Sequence, residues 1–372
     1  MKRTSSEVFA RLALPLALSL VCASLDARAE PASAPAGFYK VDCLGNSDTI
    51  VSIPFTRPEA AFALVQSVAD NVVTVQNTPG WTAGQFVYNP AAQPVAQSNT
   101  YYLRFLSGPK EGSYYPIVDN GVNTLTLNLA GDDISSVTSG SRLAVIPYWT
   151  LATAFPEGKG VIPSTSKFGG VFRRTEILIP DFDGVGINRS AATTFYYFKP
   201  AESPTGDWYE QGDLINTKND RVLLPDLYFI VRHNNSPVGT TFTAQGSVPT
   251  SRLTTPLVAQ TSGFQDNFVA LTRPAPISLN ASGLLEGGFL PSANPNPESG
   301  DQVLVFDNDL AAMNKSASAI YYYRNGVWRK GGDLIGDWGD EPIFQPGSGV
   351  IIRKKPVNNG GASSFWINSP TY

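Results

Sequence analysis

The feature that most constrains this chain is a long-range internal repeat. Residues 176–197 (EILIPDFDGVGINRSAATTFYY) and 302–323 (QVLVFDNDLAAMNKSASAIYYY) align without a gap and share eight of 22 residues. Among them are Asp181/Asp307, Asp183/Asp309, Asn188/Asn314, Ser190/Ser316, Tyr196/Tyr322 and Tyr197/Tyr323. After a short loop difference, WYEQGDLI (208–215) aligns with WRKGGDLI (328–335), and PDLYFIVR (225–232) with PGSGVIIR (346–353). Upstream, 150–164 aligns with 278–292, and a strand ending in Thr-Arg-Pro precedes each: 48–58 and 266–274. The same features in the same order predict two copies of one structural unit.

The copies differ in one place. Three residues separate Pro274 from Ser278, whereas residues 59–149 separate Pro58 from Thr150. A module placed in the loop of one copy accounts for this, because closure entropy grows slowly with loop length. Within it, VVTV (72–75), YYLRFL (101–106), YYPIV (114–118), TLTLNL (124–129) and RLAVIP (142–147) are β-branched or aromatic runs divided by Gly-, Asn- and Pro-rich turns. Such spacing predicts a small barrel or sandwich, and one short helix near 151–156 leads back to the parent unit.

The predicted fold is therefore mainly all-β: a tandem duplicated β unit forming a pseudo-symmetric sheet or sandwich, with a small β-barrel-like domain inserted in the first copy. The boundaries are 30–58 with 150–248 for the first copy, 59–149 for the insertion, 249–263 for a linker and 264–372 for the second copy. EILIP and VLVFD are almost continuously apolar, as expected of strands buried on both faces.

The N-terminus carries an address. Lys2, Arg3 and Arg11 precede an apolar run over 12–23, and Ala27-Arg28-Ala29 offers a small-residue cleavage site. This reads as a secretory signal peptide over 1–29, too short for a stable membrane span, so the chain is expected to be exported to the periplasm, cell surface or medium with no transmembrane segment after cleavage. Cleavage shifts the net charge from −4 to −6 and leaves Cys43 as the single cysteine, which excludes an intramolecular disulfide. Cys43 reads as a buried small hydrophobe or an intermolecular partner. An acidic chain does not offer the basic footprint that holds nucleic acid. One histidine and two cysteines leave little for the usual zinc sites or a Ser–His–Asp triad.

Two groups of residues invite a functional reading. Asp181, Asp183, Asp307 and Asp309 alternate at strand ends; they suit Ca²⁺ ligation or Asx turns that end the strand, and neither copy has the further acids of an EF-hand loop. The aromatic residues Tyr196, Tyr197, Trp208, Tyr322, Tyr323 and Trp328 suit either a sugar-stacking face or core packing. Asp213 and Asp333 recur after glycine as turn residues. Arg232 and Arg353 recur at strand ends and suggest an ion pair with a recurrent Asp, while His233 and its counterpart Lys354 read as solvated basic positions.

The signal peptide, the strand leading to Thr-Arg-Pro, the YYLRFLSGPKEGSYYPI segment, the Trp-Thr-Leu…Phe-Pro hinge and the repeated Trp/Gly-Asp-Leu unit together resemble an uncharacterised paralogous family of secreted β-rich proteins from verrucomicrobial-type bacteria. The resemblance covers nearly all of the mature chain and implies export and multiple paralogues. It brings no catalytic residues. The resulting expectation is a non-enzymatic structural or adhesive protein of the cell envelope or surface, whose partner is an envelope component, a glycan or another copy of itself. The alternative is a carbohydrate-binding module or carbohydrate-active enzyme that uses an aromatic face.

Overall fold

The structure is a computed structural model in which residues 35–93, 96–168, 173–358 and 364–370 are described. The expected signal peptide lies outside them. In chain order, β1 (Ala36–Cys43) and β2 (Asp48–Val51) are followed by β3 (Ala61–Ala69), β4 (Val72–Val75), β5 (Tyr101–Phe105), β6 (Tyr114–Asn120), β7 (Thr124–Leu127) and β8 (Arg142–Pro147). Next come β9 (Trp149–Thr150) and a single helical turn, α1 (Leu151–Ala154). They lead to β10 (Thr175–Pro180), β11 (Ala191–Phe198), β12 (Asp207–Glu210), β13 (Asp213–Thr217), β14 (Val222–Leu223), β15 (Phe229–His233) and β16 (Thr240–Ser247). The remainder is β17 (Leu253–Leu257), β18 (Gln265–Ala270), β19 (Gln302–Val305), β20 (Ala319–Arg324), β21 (Val327–Lys330), β22 (Gly349–Lys354) and β23 (Ser364–Asn368).

Strands β3 to β8 close into a barrel in the order β3-β4-β7-β6-β5-β8, with β8 returning to β3. Alternate residues fill it: Tyr101, Leu103 and Phe105 of β5 point inward with Val73, Val75, Leu125, Leu127, Leu143 and Val145. The barrel matches the β module expected over 59–149, with one strand more than the clearest apolar runs mark out. β3, AFALVQSVA, interleaves Phe62, Val65 and Val68 with three alanines that favour strands less, and closure of the barrel recruits it.

A six-stranded sheet has the order β13-β12-β11-β10-β15-β2, and a five-stranded sheet the order β21-β20-β19-β22-β18. From β12 inward, the two sheets place matching sequence segments in the same order, and all of these strands pair antiparallel. Every residue of β10 is buried because the sheet is covered on both faces. Ile177 and Ile179 join Val51, Phe155, Trp208 and Val231 in one core. In the second sheet, Val303, Val350, Ile352 and Trp328 form the corresponding core with Trp366 of β23. The opposite faces meet each other through Ile50, Tyr228, Phe268, Leu304 and Ile351. Each such side chain stabilises the fold by about 1.5–3 kcal/mol when fully withdrawn from water.

Local signals explain the connections. Thr150 and Thr153 form a reciprocal capping box that starts α1 at the expected place. Arg57, of the first Thr-Arg-Pro, ties the mouth of the barrel by donating to Asn99 Oδ1 (2.7 Å) and to the Tyr148 carbonyl (3.2 Å). The stretch 249–263 differs from the linker expected of it, since β17 lies inside it and pairs with β23. Pro256 and the Ser/Thr content obscure that strand in sequence, but a proline is tolerated in a two-stranded edge ribbon. Cys43 is buried on β1, and burial pushes its thiol pKa up to about 11. Among the described residues no helix is long and apolar enough to cross a membrane.

Candidate functional site

The most elaborate polar arrangement lies where the two sheets meet. On β15, Arg232 donates from Nε to Asp48 Oδ1 (2.6 Å) and from Nη2 to Asp48 Oδ2 (2.7 Å), pairing with the neighbouring strand β2. Asn314, from the loop after β19 of the other sheet, accepts from Arg232 Nη2 at 2.7 Å. Its own backbone N–H donates to Asp48 Oδ2, also at 2.7 Å. The mirror arrangement uses the matched residues. Arg353 pairs with Asp266 (2.6 and 3.1 Å), Asn188 accepts from Arg353 Nη2 (3.1 Å), and the Asn188 N–H donates to Asp266 Oδ2 (2.9 Å). Both asparagines adopt the left-handed conformation, with φ of 53° and 50°, which Asn tolerates better than most residues.

The loops that carry these asparagines also cover the sheet edges. The outward N–H groups of Asp48, Ile50 and Ser52 on the edge strand and just beyond it donate to the Ala312 carbonyl, Asn308 Oδ1 and the Gly347 carbonyl. On β18, Asp266 and Ala270 donate to the Gly186 and Asp226 carbonyls. Edge strands are otherwise open templates for pairing, so each sheet blocks one edge of the other.

Between the sheets lies a cleft of about 690 Å³. Matched positions from both sheets line it: Ile50 and Phe268, Leu178 and Leu304, Ile230 and Ile351 on the floor, with Arg189 and Lys315, Ser190 and Ser316 at the rim. The guanidinium of Arg189 lies 4.8 Å from the Phe268 ring centroid and donates from Nη2 to the Asp266 carbonyl (2.9 Å). Lys315 Nζ donates to the Asp307 carbonyl (2.7 Å), and burial lowers its pKa.

Of the two readings of the recurrent aromatic residues, sugar stacking or core packing, the structure shows the packing. Tyr196, Tyr197, Trp208, Tyr322 and Trp328 are buried, and Tyr323 is half-buried with its ring 5.4 Å from Trp328. Tyr196 and Tyr322 donate their hydroxyls to the Lys167 and Pro295 carbonyls, while the Tyr197 hydroxyl accepts from the Gly206 N–H. Rings this large fill the two cores with a large area of apolar surface.

The recurrent aspartates, read as Ca²⁺ ligands or as Asx turns, accept hydrogen bonds from their own loops. Asp181 Oδ1 accepts from the Gly184 N–H (3.1 Å) and Asp307 Oδ1 from the Asp309 N–H (2.8 Å), which are Asx-type turns; Asp183 and Asp309 are exposed. Among the described residues no three His, Cys, Asp or Glu side chains gather.

His233 and Lys354 are not solvated positions. His233 is fully buried and its pKa is lowered by desolvation. Thr240 Oγ1 donates to the Gly160 carbonyl and so accepts from His233 Nε2–H, while Thr175 Oγ1 accepts from the Ile162 N–H and donates to Nδ1. This network assigns the neutral Nε2–H tautomer. Lys354 is buried against Asp301, with a further bond to the Gly288 carbonyl. Both side chains lie on the covered face of the strand end, and a face cannot be read from one strand's sequence alone.

A second repeated feature is exposed. In each Gly-Asp-Leu-Ile turn the glycine has positive φ (93° at Gly212, 85° at Gly332). The aspartate then caps the turn: Asp213 Oδ1 accepts from Ile215 and Asn216, and Asp333 Oδ1 from Ile335 and Gly336. These hydrogen bonds hold both carboxyl pKa values below the usual range. The result is that Ile215 and Ile335 are 86% and 90% exposed. The spacing of GDLI marks the turns in sequence; that they thrust an isoleucine outward becomes visible only in three dimensions.

No protein family, curated protein or solved structure matches this chain.

Proposed function

We propose that this chain is an exported structural or adhesive protein of the cell envelope or surface, built from a duplicated β unit with a barrel inserted in the first copy. The observation that carries the adhesive reading is the matched pair of isoleucine tips. Single exposed apolar residues are commonplace. Two at equivalent positions, each presented by the same glycine and capped by the same aspartate, fit a recurring contact point. Burying an isoleucine against a partner is worth about 1.5–3 kcal/mol, so two tips support a weak attachment that strengthens when both engage. The common strand order of the two sheets and their reciprocal polar contacts support duplication. The apolar N-terminal run supports export.

The test uses the mature chain, residues 30–372. Expected results are co-sedimentation with isolated cell envelopes and a marked loss of binding in the Ile215→Ser/Ile335→Ser variant at unchanged melting temperature. A strict monomer at micromolar concentration that ignores envelopes overturns the reading.

A further inference from the structure

We propose that the cleft between the two sheets binds a single-chain amphiphilic carboxylate, the chemistry of a free fatty acid. Its volume, about 690 Å³, lies in the range of small-molecule sites. The floor is aliphatic, formed by Ile50, Leu178, Ile230, Leu304 and Ile351, and suits a hydrocarbon chain. The rim is cationic, and its charges are incompletely matched. Of the charged side chains that line it, Asp48 and Arg232 satisfy each other. Arg189 and Lys315 form no ion pair among the described residues; Asp48, Asp307 and Asp309 act on Lys315 only from farther away. Arg189 Nε and Nη1 are buried without a hydrogen-bond partner among the described residues. The Arg189 guanidinium therefore brings a positive charge to the cleft that no carboxylate of the described residues pairs, and an anionic headgroup at the rim would balance it.

An apolar cleft with two cations at its rim that form no ion pair selects a ligand with one anionic end and an apolar body. Uncharged chains leave the two cations without a counter-charge, and cationic chains meet two like charges. The hydroxyls of Ser190 and Ser316 at the rim offer further bonds to the headgroup. Because both sheets contribute the floor, a bound chain touches both, so binding stabilises the folded protein by mass action.

The experiment titrates the mature protein with laurate below its micellar concentration, by calorimetry and by melting temperature. Dodecyltrimethylammonium serves as the chain-matched cation and methyl laurate as the uncharged ester. Saturable one-to-one binding of laurate with a rise in melting temperature is expected, with little response to the other two. Arg189→Gln is expected to weaken laurate binding about ten-fold or more. Ala317→Trp, at a half-buried wall of the cleft, is expected to block binding while the protein stays folded. The proposal fails if laurate gives no saturable binding or only lowers the melting temperature. It fails equally if the ammonium compound binds as well, or if both folded variants bind laurate like the parent.

Discussion

Gly349 and Tyr228 stand at matched positions of the two sheets, and the ring of one occupies the space that a side chain on the other would need. A Cβ on Gly349 would lie 2.2 Å from Tyr228 Cδ1 and 2.5 Å from its Cβ, too near the ring's base for a rotation to relieve. Tyr228 is buried in the cluster that joins the sheets. Gly349→Ala is therefore expected to destabilise by about 1–3 kcal/mol through overpacking. Tyr228→Ala alone should cost about 3–5 kcal/mol. Urea denaturation of the double variant should show less than the sum, since each substitution relieves what the other imposes.

At Asn314 the backbone and the side chain make separable demands. Its φ of 50° favours glycine over alanine, while its Oδ1 accepts from Arg232. Asn314→Gly keeps the conformation and loses the bond to a charged group, at about 1.5–3 kcal/mol. Asn314→Ala adds roughly 1–2 kcal/mol of left-handed strain. The predicted order, with alanine worse than glycine, is the reverse of that in a helix interior. Thermal denaturation of both variants and of the matched Asn188 pair checks it.

The buried Lys354–Asp301 pair should respond asymmetrically to mutation. Asp301 also accepts from the Leu290 and Lys355 backbone N–H groups, so its carboxylate is held from several sides while burial raises its pKa. Lys354→Met leaves that carboxylate buried without its cation and should cost about 3–5 kcal/mol. Adding Asp301→Asn, which removes the charge, should recover a substantial part of the loss. Chemical denaturation at pH 7 measures both.

Two buried groups make stability depend on pH in opposite directions. Desolvation lowers the pKa of His233 in the fold, so the unfolded chain binds the extra proton first. Stability is then complete above the unfolded value of about 6.5 and declines as pH falls below it. Protonation would also set a new Nδ1–H against Thr175 Oγ1, whose own proton already points there. Asp226 is buried with its pKa raised by desolvation, although it accepts from the Tyr114 hydroxyl at 2.7 Å. Its contribution is greatest below the unfolded value of about 3.9 and is lost as pH rises through the raised one. His233→Gln should weaken the loss of stability as pH falls below about 6.5, and Asp226→Asn should weaken the loss as pH rises above about 3.9. Urea midpoints measured across pH 3.5 to 8 distinguish the two.

The legible part of the fold was the part written in period and repetition. The apolar runs of β10 and β19 and the turn-divided strands of the barrel carry patterns that depend on local sequence. The Arg232/Arg353 recurrence points to an ion pair, and Asp48 and Asp266 recur at the starts of the matched segments 48–58 and 266–274, but they lie far away in the chain and no local spacing joins them to the arginines. Direction was the information most often missing. Tyr196, Trp208 and Trp328 have the same letters whether they face a core or a glycan, and His233 reads as solvated until its covering strand is known. The crossing of the loops around Asn188 and Asn314 depends on tertiary placement, which no local spacing encodes.

The reciprocal covering of β2 and β18 also sets a limit on growth. An open sheet edge can recruit a further copy, whereas two edges that terminate one another are closed to growth on that side. A chain cut between the two sheets would lose that limit. Each half would then expose backbone that the other now occupies, so the halves should reassociate readily when mixed and form open-ended assemblies when kept apart.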